Sequence, residues 1–84
     1  MSKRSIIETK DGRRNICGAK LKEFRLTMSP KMSRRKLAEQ LQCKGLDIDV
    51  VVIKKIEEGV RLVTDIELKA ISDALEIPIS ILLS

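Results

Sequence analysis

Three consecutive cations stand at the start of a predicted helix, and their position is the clearest chemical signal in the sequence. Ser33 is a favourable N-cap, and Arg34, Arg35 and Lys36 would fill the first turn that follows it. Cations in that turn oppose the helix dipole, which favours negative charge at this end. The arrangement becomes favourable if a phosphate group binds there, because free N–H groups and cations would both contact it. We therefore interpret this turn as a candidate anion-binding site.

Positive charge is concentrated in the first part of the chain. The 84 residues carry a net charge of +5, but residues 1–36 hold 12 Lys/Arg against 3 Asp/Glu, whereas residues 37–84 hold 5 against 9. A basic half on a small protein attracts polyanions, namely DNA, RNA or an acidic membrane surface. The alternative is a basic surface that is merely solvated, and charge alone does not decide between the two.

The residue types that are missing exclude several function classes. The sequence has no His, Trp or Tyr, and Phe24 is its only aromatic residue. Histidine-based acid–base catalysis and histidine-containing metal sites are excluded, and stacking platforms for single-stranded nucleic acid are nearly excluded. The sequence offers no credible pair of nucleophile and base and no glycine-rich phosphate loop. We predict that the protein is not an enzyme and holds no metal and no cofactor.

The cysteines and the hydropathy pattern indicate the compartment. Cys17 and Cys43 lack the CxxC spacing of metal and redox motifs, which favours two free thiols in a reduced cytosol. No apolar run approaches the ~18 residues that a bilayer span requires, and the first eight residues lack the apolar stretch of a secretory signal. We expect a cytoplasmic protein without a membrane partner, and this chain length predicts one domain.

The spacing of apolar residues predicts a first helix beginning near Asn15, which can act as its N-cap, and ending before Pro30. Arg25 is expected to lie on its solvated side. Its apolar face is formed by residues at helical spacing: Cys17, Leu21, Phe24 and Met28. A second helix follows Ser33 and carries a narrow apolar stripe of Leu37, Ala38 and Leu41.

A third helix is predicted from Asp49, its N-cap, to Glu58, with Gly59 ending it. Val50, Val51 and Val52 alone would favour a strand, so a short buried strand is the alternative for this segment. The cap, the terminal glycine and the apolar spacing of Ile53 and Ile56 together favour the helix.

The start of a fourth helix is marked by a capping box formed by Thr64 and Glu67. Its apolar residues are Leu68, Ile71, Ala74 and Leu75, and a last short turn follows Pro78. The pattern predicts an all-α protein of five helices without a convincing sheet. Residues 1–14 are polar and basic, and we expect a flexible N-terminal arm, although Asp11-Gly12 could instead close a hairpin.

Four segments in order resemble the XRE-type helix-turn-helix family, the group of lambdoid phage repressors and Cro. Residues 18–25 resemble its first helix, and residues 32–38 resemble its Leu-Ser-Gln-x-x-Leu-Ala opening of the second helix. Residues 53–61 resemble its Ile-Ser-x-x-Glu-x-Gly-x-Arg motif, and residues 68–82 resemble its Leu-x-x-Ile-x-x-Ala-Leu-x-Val ending. The resemblance implies a lambda-repressor-like DNA-binding domain over residues 15–84, with the helix-turn-helix at about residues 33–58.

The resemblance also implies site residues on double-stranded DNA, with the third helix in the major groove. Lys55 could donate to guanine O6 and N7, Lys54 could contact a base or a phosphate, and two valines could contact thymine methyl groups. The implied base contacts are Val50, Val51, Lys54 and Lys55. The implied phosphate contacts are Arg34, Arg35 and Arg61.

Each of these residues also has a structural interpretation that the sequence leaves open. Lys54 and Lys55 can be solvated or can pair with Glu58 on the same helix. The valines can belong to the core or to a protein-contact patch, and Arg61 can bond the last carbonyl groups of the third helix.

The family usually binds DNA as a two-fold homodimer, and the resemblance implies the same here. Ile79, Ile81, Leu82 and Leu83 could supply the contact, or they could simply close the core, above all Leu82. The predicted function is a sequence-specific transcriptional regulator, acting as a repressor. The alternative is an interaction module or antitoxin-like protein of the same fold, for which a protein partner would replace DNA.

Overall fold

The computed structural model describes residues 8, 9 and 11–84, and over these residues it contains five helices and no strand. The helices, in chain order, are α1 (Cys17–Thr27), α2 (Arg34–Cys43), α3 (Val50–Glu58), α4 (Asp65–Leu75) and α5 (Ile79–Leu82). The all-α architecture predicted from the sequence is confirmed. The described helices include none that is long and apolar enough to cross a bilayer.

Side-chain caps define the starts of three of the five helices in the described residues. The hydroxyl of Ser33 accepts the N–H of Lys36 at 3.0 Å, and the carboxylate of Asp49 accepts the N–H of Val52 at 2.9 Å. The capping box of Thr64 and Glu67 is present in both directions. These three caps confirm the predicted starts of α2, α3 and α4. Each cap accepts a hydrogen bond from an N–H group that has no partner within its own helix.

Gly59 ends α3 by turning the backbone into the left-handed region, with φ 80°. Its N–H donates to the carbonyl of Ile56 at 3.0 Å, and the N–H of Val60 donates to the carbonyl of Lys55 at 3.1 Å. This pair of hydrogen bonds is a Schellman motif, which glycine adopts without a Cβ penalty. The segment with three valines is therefore a helix that is capped at both ends, and the strand alternative is wrong.

The core lies between α3, which packs against both α1 and α2, and α4, which also packs against α1 and α2; α5 closes it against α1 and α4. Its fully buried large side chains come from all five helices and from the connection before α3: Leu21, Leu37, Leu41, Ile48, Ile53, Ile56, Ile71 and Leu82. Phe24, Met28 and Leu68 are partly buried against this cluster. Burial of Leu82 confirms that the last helix closes the core.

The connection between α2 and α3 is fixed by its own contacts. Ile48 is buried, and the Gln42 side chain donates to its carbonyl at 3.0 Å. Gly45 has φ 89°, which lets the chain reverse after α2, and the N–H of Leu46 donates to the carbonyl of Leu41 at 3.1 Å. This connection therefore contributes to the core and sets the direction in which α3 leaves it.

The N-terminal arm can be followed only in part. Residues 1–7 and 10 lie outside the described residues, so the flexible arm and the hairpin both stay predictions. Among the residues that are described, the N–H of Gly12 donates to the carbonyl of Thr9 at 3.0 Å, which closes a turn. Arg13 and Arg14 then lie against the end of α3.

Candidate nucleic-acid interface

The leading edge of α3 faces outward. Val50 and Val51 are 41% and 59% exposed, and Lys54 and Lys55 are also exposed. Ile53 and Ile56, on the opposite face, are fully buried, and Val52 is half-buried against the core. The four residues predicted to contact bases are thus on one accessible stretch of a single helix.

The two lysines of α3 differ in their surroundings. The Lys54 ammonium lies 4.0 Å from the Glu58 carboxylate one turn along the helix, and both side chains are more than half exposed. Such an exposed pair contributes little to stability. Among the described residues, no carboxylate lies within that distance of Lys55. Lys55 is therefore the more available hydrogen-bond donor on this surface.

The cationic first turn of α2 lies beside α3. Arg35 and Lys36 are exposed, whereas Arg34 is half-buried and its Nε donates to Glu57 Oε1 at 3.0 Å. The structure therefore links the predicted phosphate-contacting turn to the C-terminal part of α3 through a side-chain ion pair. Together, the outward edge of α3 and the first turn of α2 form the candidate interface.

A buried ion cluster lies beneath this interface. The Glu57 carboxylate is 1% exposed, and it accepts Arg25 Nε at 2.8 Å, Arg25 Nη2 at 3.2 Å and Arg34 Nε at 3.0 Å. Arg25 Nη1 also donates to the carbonyl of Met32 at 3.0 Å. One buried acid thus connects α1, α3 and the start of α2.

The expectation that Arg25 lies on the solvated side of the first helix is wrong, because its side chain is only 7% exposed. The helical spacing in the sequence would have predicted the burial of Arg25 and Glu57. Arg25 follows the buried Leu21 by four residues, and Glu57 follows the buried Ile53 by four residues, so both charges lie on core-facing positions. Two opposite charges at core-facing positions of different helices indicate a buried pair.

Arg61 is engaged by a carboxylate of α4. Its Nη1 and Nη2 each donate to a different oxygen of Glu67 at 3.0 Å, and Nη1 also donates to the carbonyl of Leu62 at 3.0 Å. The hydrogen bonds from Arg61 hold the pKa of Glu67 below its ordinary value of 4.5, with the N–H of Thr64 adding to the effect. Arg61 therefore fastens the connection after α3 to the start of α4.

We expect Glu67→Gln to reduce the dependence of the free energy of unfolding on pH in the acid range. Because the folded-state pKa of Glu67 is lowered, its ionised form stabilises the fold above the unfolded-state pKa near 4.5, and this contribution disappears as pH falls through the folded-state value. Urea unfolding at a series of pH values between neutral and acid would measure the difference. Arg61→Gln should flatten the profile in the same way, and an unchanged profile in both variants would contradict the assignment.

Residues ahead of α1 bond the C-terminal end of α3. The Arg13 guanidinium donates through Nη2 to the Glu57 carbonyl at 2.8 Å, and the N–H of Arg14 donates to the Gly59 carbonyl at 2.7 Å. Asn15 Nδ2 donates to the carbonyls of Ile56 and Arg61 at 3.1 and 2.7 Å. These contacts add hydrogen bonds to carbonyls at the end of α3 and in the connection after it, and they hold this end of the helix against the residues ahead of α1.

Asn15 also caps α1, as the sequence predicted. The helix begins at Cys17, and its first flanking residue, Ile16, makes no side-chain cap. Instead, Asn15 Oδ1 accepts the N–H of Gly18 at 2.8 Å. One amide side chain therefore bonds the start of α1 and the end of α3 at once.

The fold and the site define a helix-turn-helix domain, in which α2 and α3 are joined by the anchored turn and α3 presents an accessible edge. The fold is similar to that in the crystal structure of the DNA-binding domain of BldD, with a TM-score of 0.65 and 28% sequence identity. The match covers 83% of this chain and 92% of that one. No protein-family model matches the chain, and no curated protein matches its sequence.

Proposed function

We propose that this protein is a cytoplasmic transcriptional regulator of the XRE type that binds double-stranded DNA sequence-specifically through the major groove. The observation that carries the proposal is the accessible edge of α3 beside the cationic first turn of α2. The similarity to the DNA-binding domain of BldD supports it, because the two chains match over most of their length. A domain of this kind represses by occupying an operator and obstructing polymerase.

Bases are read, in this proposal, by the exposed residues of α3. Lys55 donates to O6 and N7 of guanine, and Lys54 reaches a neighbouring base or a phosphate once its weak pair with Glu58 opens. Val50 and Val51 have no hydrogen-bonding group in their side chains, so they contact thymine methyl groups. The site therefore favours a short element that combines guanine with thymine.

Phosphates are bound, in this proposal, by Arg35 and Arg34 at the start of α2, where helix N–H groups add to the attraction. Arg61 is the third phosphate contact. Its two Nη groups already bond Glu67, so it binds a phosphate only with its remaining donor capacity or after that pair opens.

Two copies of the domain would double the number of bases read, and we propose a two-fold homodimer. Of the predicted contact residues, Leu83 is exposed, whereas Ile79 and Ile81 are half-buried. Leu83 lines one surface groove with Ile16 and Leu62, and we propose these apolar side chains, with Ile79 and Ile81 beside them in sequence, as the contact. A homodimer on B-DNA predicts a palindromic site, with half-sites about 34 Å apart. Leu82 takes no part, because it lies in the core.

The decisive experiment has two steps. In a gel-shift assay, the protein is first titrated into a random-sequence duplex at low salt, where non-specific binding should be tighter than the ~10⁻⁴ to 10⁻⁶ M usual at physiological salt. Bound sites are then selected from a random pool, and a palindromic consensus is expected. Absence of retardation at tens of micromolar protein would instead favour the protein-interaction alternative, for which the exposed Val50 and Val51 supply an apolar contact surface.

Lys55→Ala and Arg35→Ala are expected to have different effects on binding. Both side chains are exposed, so neither change should unfold the protein. Lys55→Ala should relax the sequence preference at one position, by ~1–3 kcal/mol of lost discrimination. Arg35→Ala should weaken all sites alike and reduce the log–log salt slope by about 0.9.

Titrations of selected and scrambled duplexes at several salt concentrations measure both effects. Lys69→Ala is the control, since it removes a cation from α4, outside the two helices of the interface. Equal effects of Lys55→Ala and Arg35→Ala on every sequence would show that the assignment of roles is wrong.

A further inference from the structure

Two guanidinium groups share one buried carboxylate at the junction of α2 and α3. Arg25 takes both oxygens of Glu57 from the α1 side, at 2.8 and 3.2 Å, and Arg34 adds a third hydrogen bond to Oε1 at 3.0 Å. The three side chains differ in accessibility: Glu57 is 1% exposed, Arg25 7% and Arg34 32%. Arg34 is therefore the only member of the cluster with a substantial solvent-facing surface.

The cluster carries one excess positive charge, because it contains two cations and one anion. The accessible part of that charge is on Arg34, at the first position of α2, where the helix dipole is also positive. An anion next to Arg34 would balance both the excess positive charge of the cluster and the positive end of the helix dipole. Only Nε of Arg34 is used by Glu57, and among the described residues the structure gives its two Nη groups no hydrogen-bond partner.

We propose that Glu57 is a positioning residue for DNA binding: it holds Arg34 through Nε so that the Nη groups are presented to one backbone phosphate. The inference rests on the proposed DNA-binding function and assigns a task to a residue that itself never reaches the DNA. An arginine can serve both partners because its donors lie in a fixed fork, whereas a lysine has a single nitrogen on a flexible stem. A side chain that is already ordered loses less entropy when it binds.

The test is Arg34→Lys, which keeps the charge and removes the fork. Glu57 keeps Arg25 as a partner, so the fold should survive, and a thermal unfolding curve checks this. Affinity for the selected duplex should fall about threefold to tenfold, the range expected when one long side chain must be ordered on binding. The salt slope should stay unchanged, because the charge is retained.

Arg34→Gln is the companion variant. It removes the charge, so affinity should fall on every sequence, and the salt slope should decrease by about 0.9. Lys69→Gln on α4 is the matched control for the loss of one cation, and it should alter neither quantity.

Glu57→Gln links the effect to the carboxylate. In that background, Arg34→Lys should weaken binding less than it does in the unmodified protein, because a neutral amide oxygen holds Nε less strongly than a carboxylate does. If Glu57→Gln does not fold, the two Arg34 variants still decide the question in the unmodified background.

The outcomes separate this inference from the function on which it rests. Binding of the unmodified protein, together with equal affinity of Arg34→Lys, would overturn the positioning role and leave the proposed function intact. Failure of the unmodified protein to bind any duplex would overturn both.

Discussion

Glu57→Ala is expected to lower the free energy of unfolding by about 3–5 kcal/mol, the usual result of removing one partner of a buried ion pair. The change leaves the Arg25 guanidinium, with 7% of its side chain exposed, without a counter-charge inside the protein. A chain of this size has a total stability of roughly 4–13 kcal/mol, so the variant should lose a large fraction of it and unfold at a clearly lower urea concentration than the unmodified protein. Urea unfolding followed by circular dichroism measures the loss.

Glu58→Ala is the matched control for this prediction. Glu58 is the next residue of α3, carries the same charge and is exposed, so its removal should change stability by no more than about 0.5 kcal/mol. The double variant Arg25→Met with Glu57→Leu should recover more than half of the loss, because apolar residues can replace a buried pair at little cost. Equal stability of the Glu57→Ala and Glu58→Ala variants would contradict the buried cluster.

Gly18→Ala is expected to destabilise the protein by about 3 kcal/mol, at the upper end of the range for overpacked positions. Gly18 lies in α1, and a Cβ built there would be 2.0 Å from the Ile56 carbonyl oxygen and 2.8 Å from Asn15 Oδ1. Helix propensity alone would predict the opposite sign, since alanine exceeds glycine by about 1 kcal/mol. The steric clash prevails because a backbone atom of α3 cannot move aside without breaking the bonds to Asn15.

Gly45→Ala separates this clash from backbone strain. Gly45 has φ 89°, with no atom within 4 Å of the added Cβ, so it should cost only the penalty of a left-handed residue, about 1–2 kcal/mol. Thermal and urea unfolding of both variants would show whether Gly18→Ala lowers the free energy of unfolding more than Gly45→Ala does. A Gly18→Ala variant more stable than the unmodified protein would show that α1 and α3 are less closely packed than described.

The fold could be predicted from the sequence because its signals are local. Ser33, Asp49 and Thr64 cap the helices that they precede, and each acts on N–H groups within three residues. Val50, Val51 and Val52 in α3 show how one local signal overrides another. Their β-propensity is overridden by a cap at Asp49 and a left-handed glycine at Gly59, which together define the helix ends.

The site could be predicted only in part, because its remaining features depend on contacts between distant residues. The exposure of Val50 and Val51 follows from helical spacing within α3. Helical spacing places Arg25 and Glu57 on core-facing positions, but which charge pairs with which depends on a contact between residues 32 positions apart. The sequence shows that Arg34 and Arg61 are cations near helix ends, but the carboxylates that hold them become apparent only when the helices are packed together.

The buried Ile48 has a consequence for attempts to shorten or exchange the turn that carries it. Surface connections usually tolerate deletion well, since loop length itself contributes little to the free energy. This connection is different, because it delivers a large aliphatic side chain to the interior just before α3 begins. Engineered chimeras that import a different α3 should therefore retain Ile48 and Asp49 with it, or the transplanted helix will lose both its contact with the core and its N-cap.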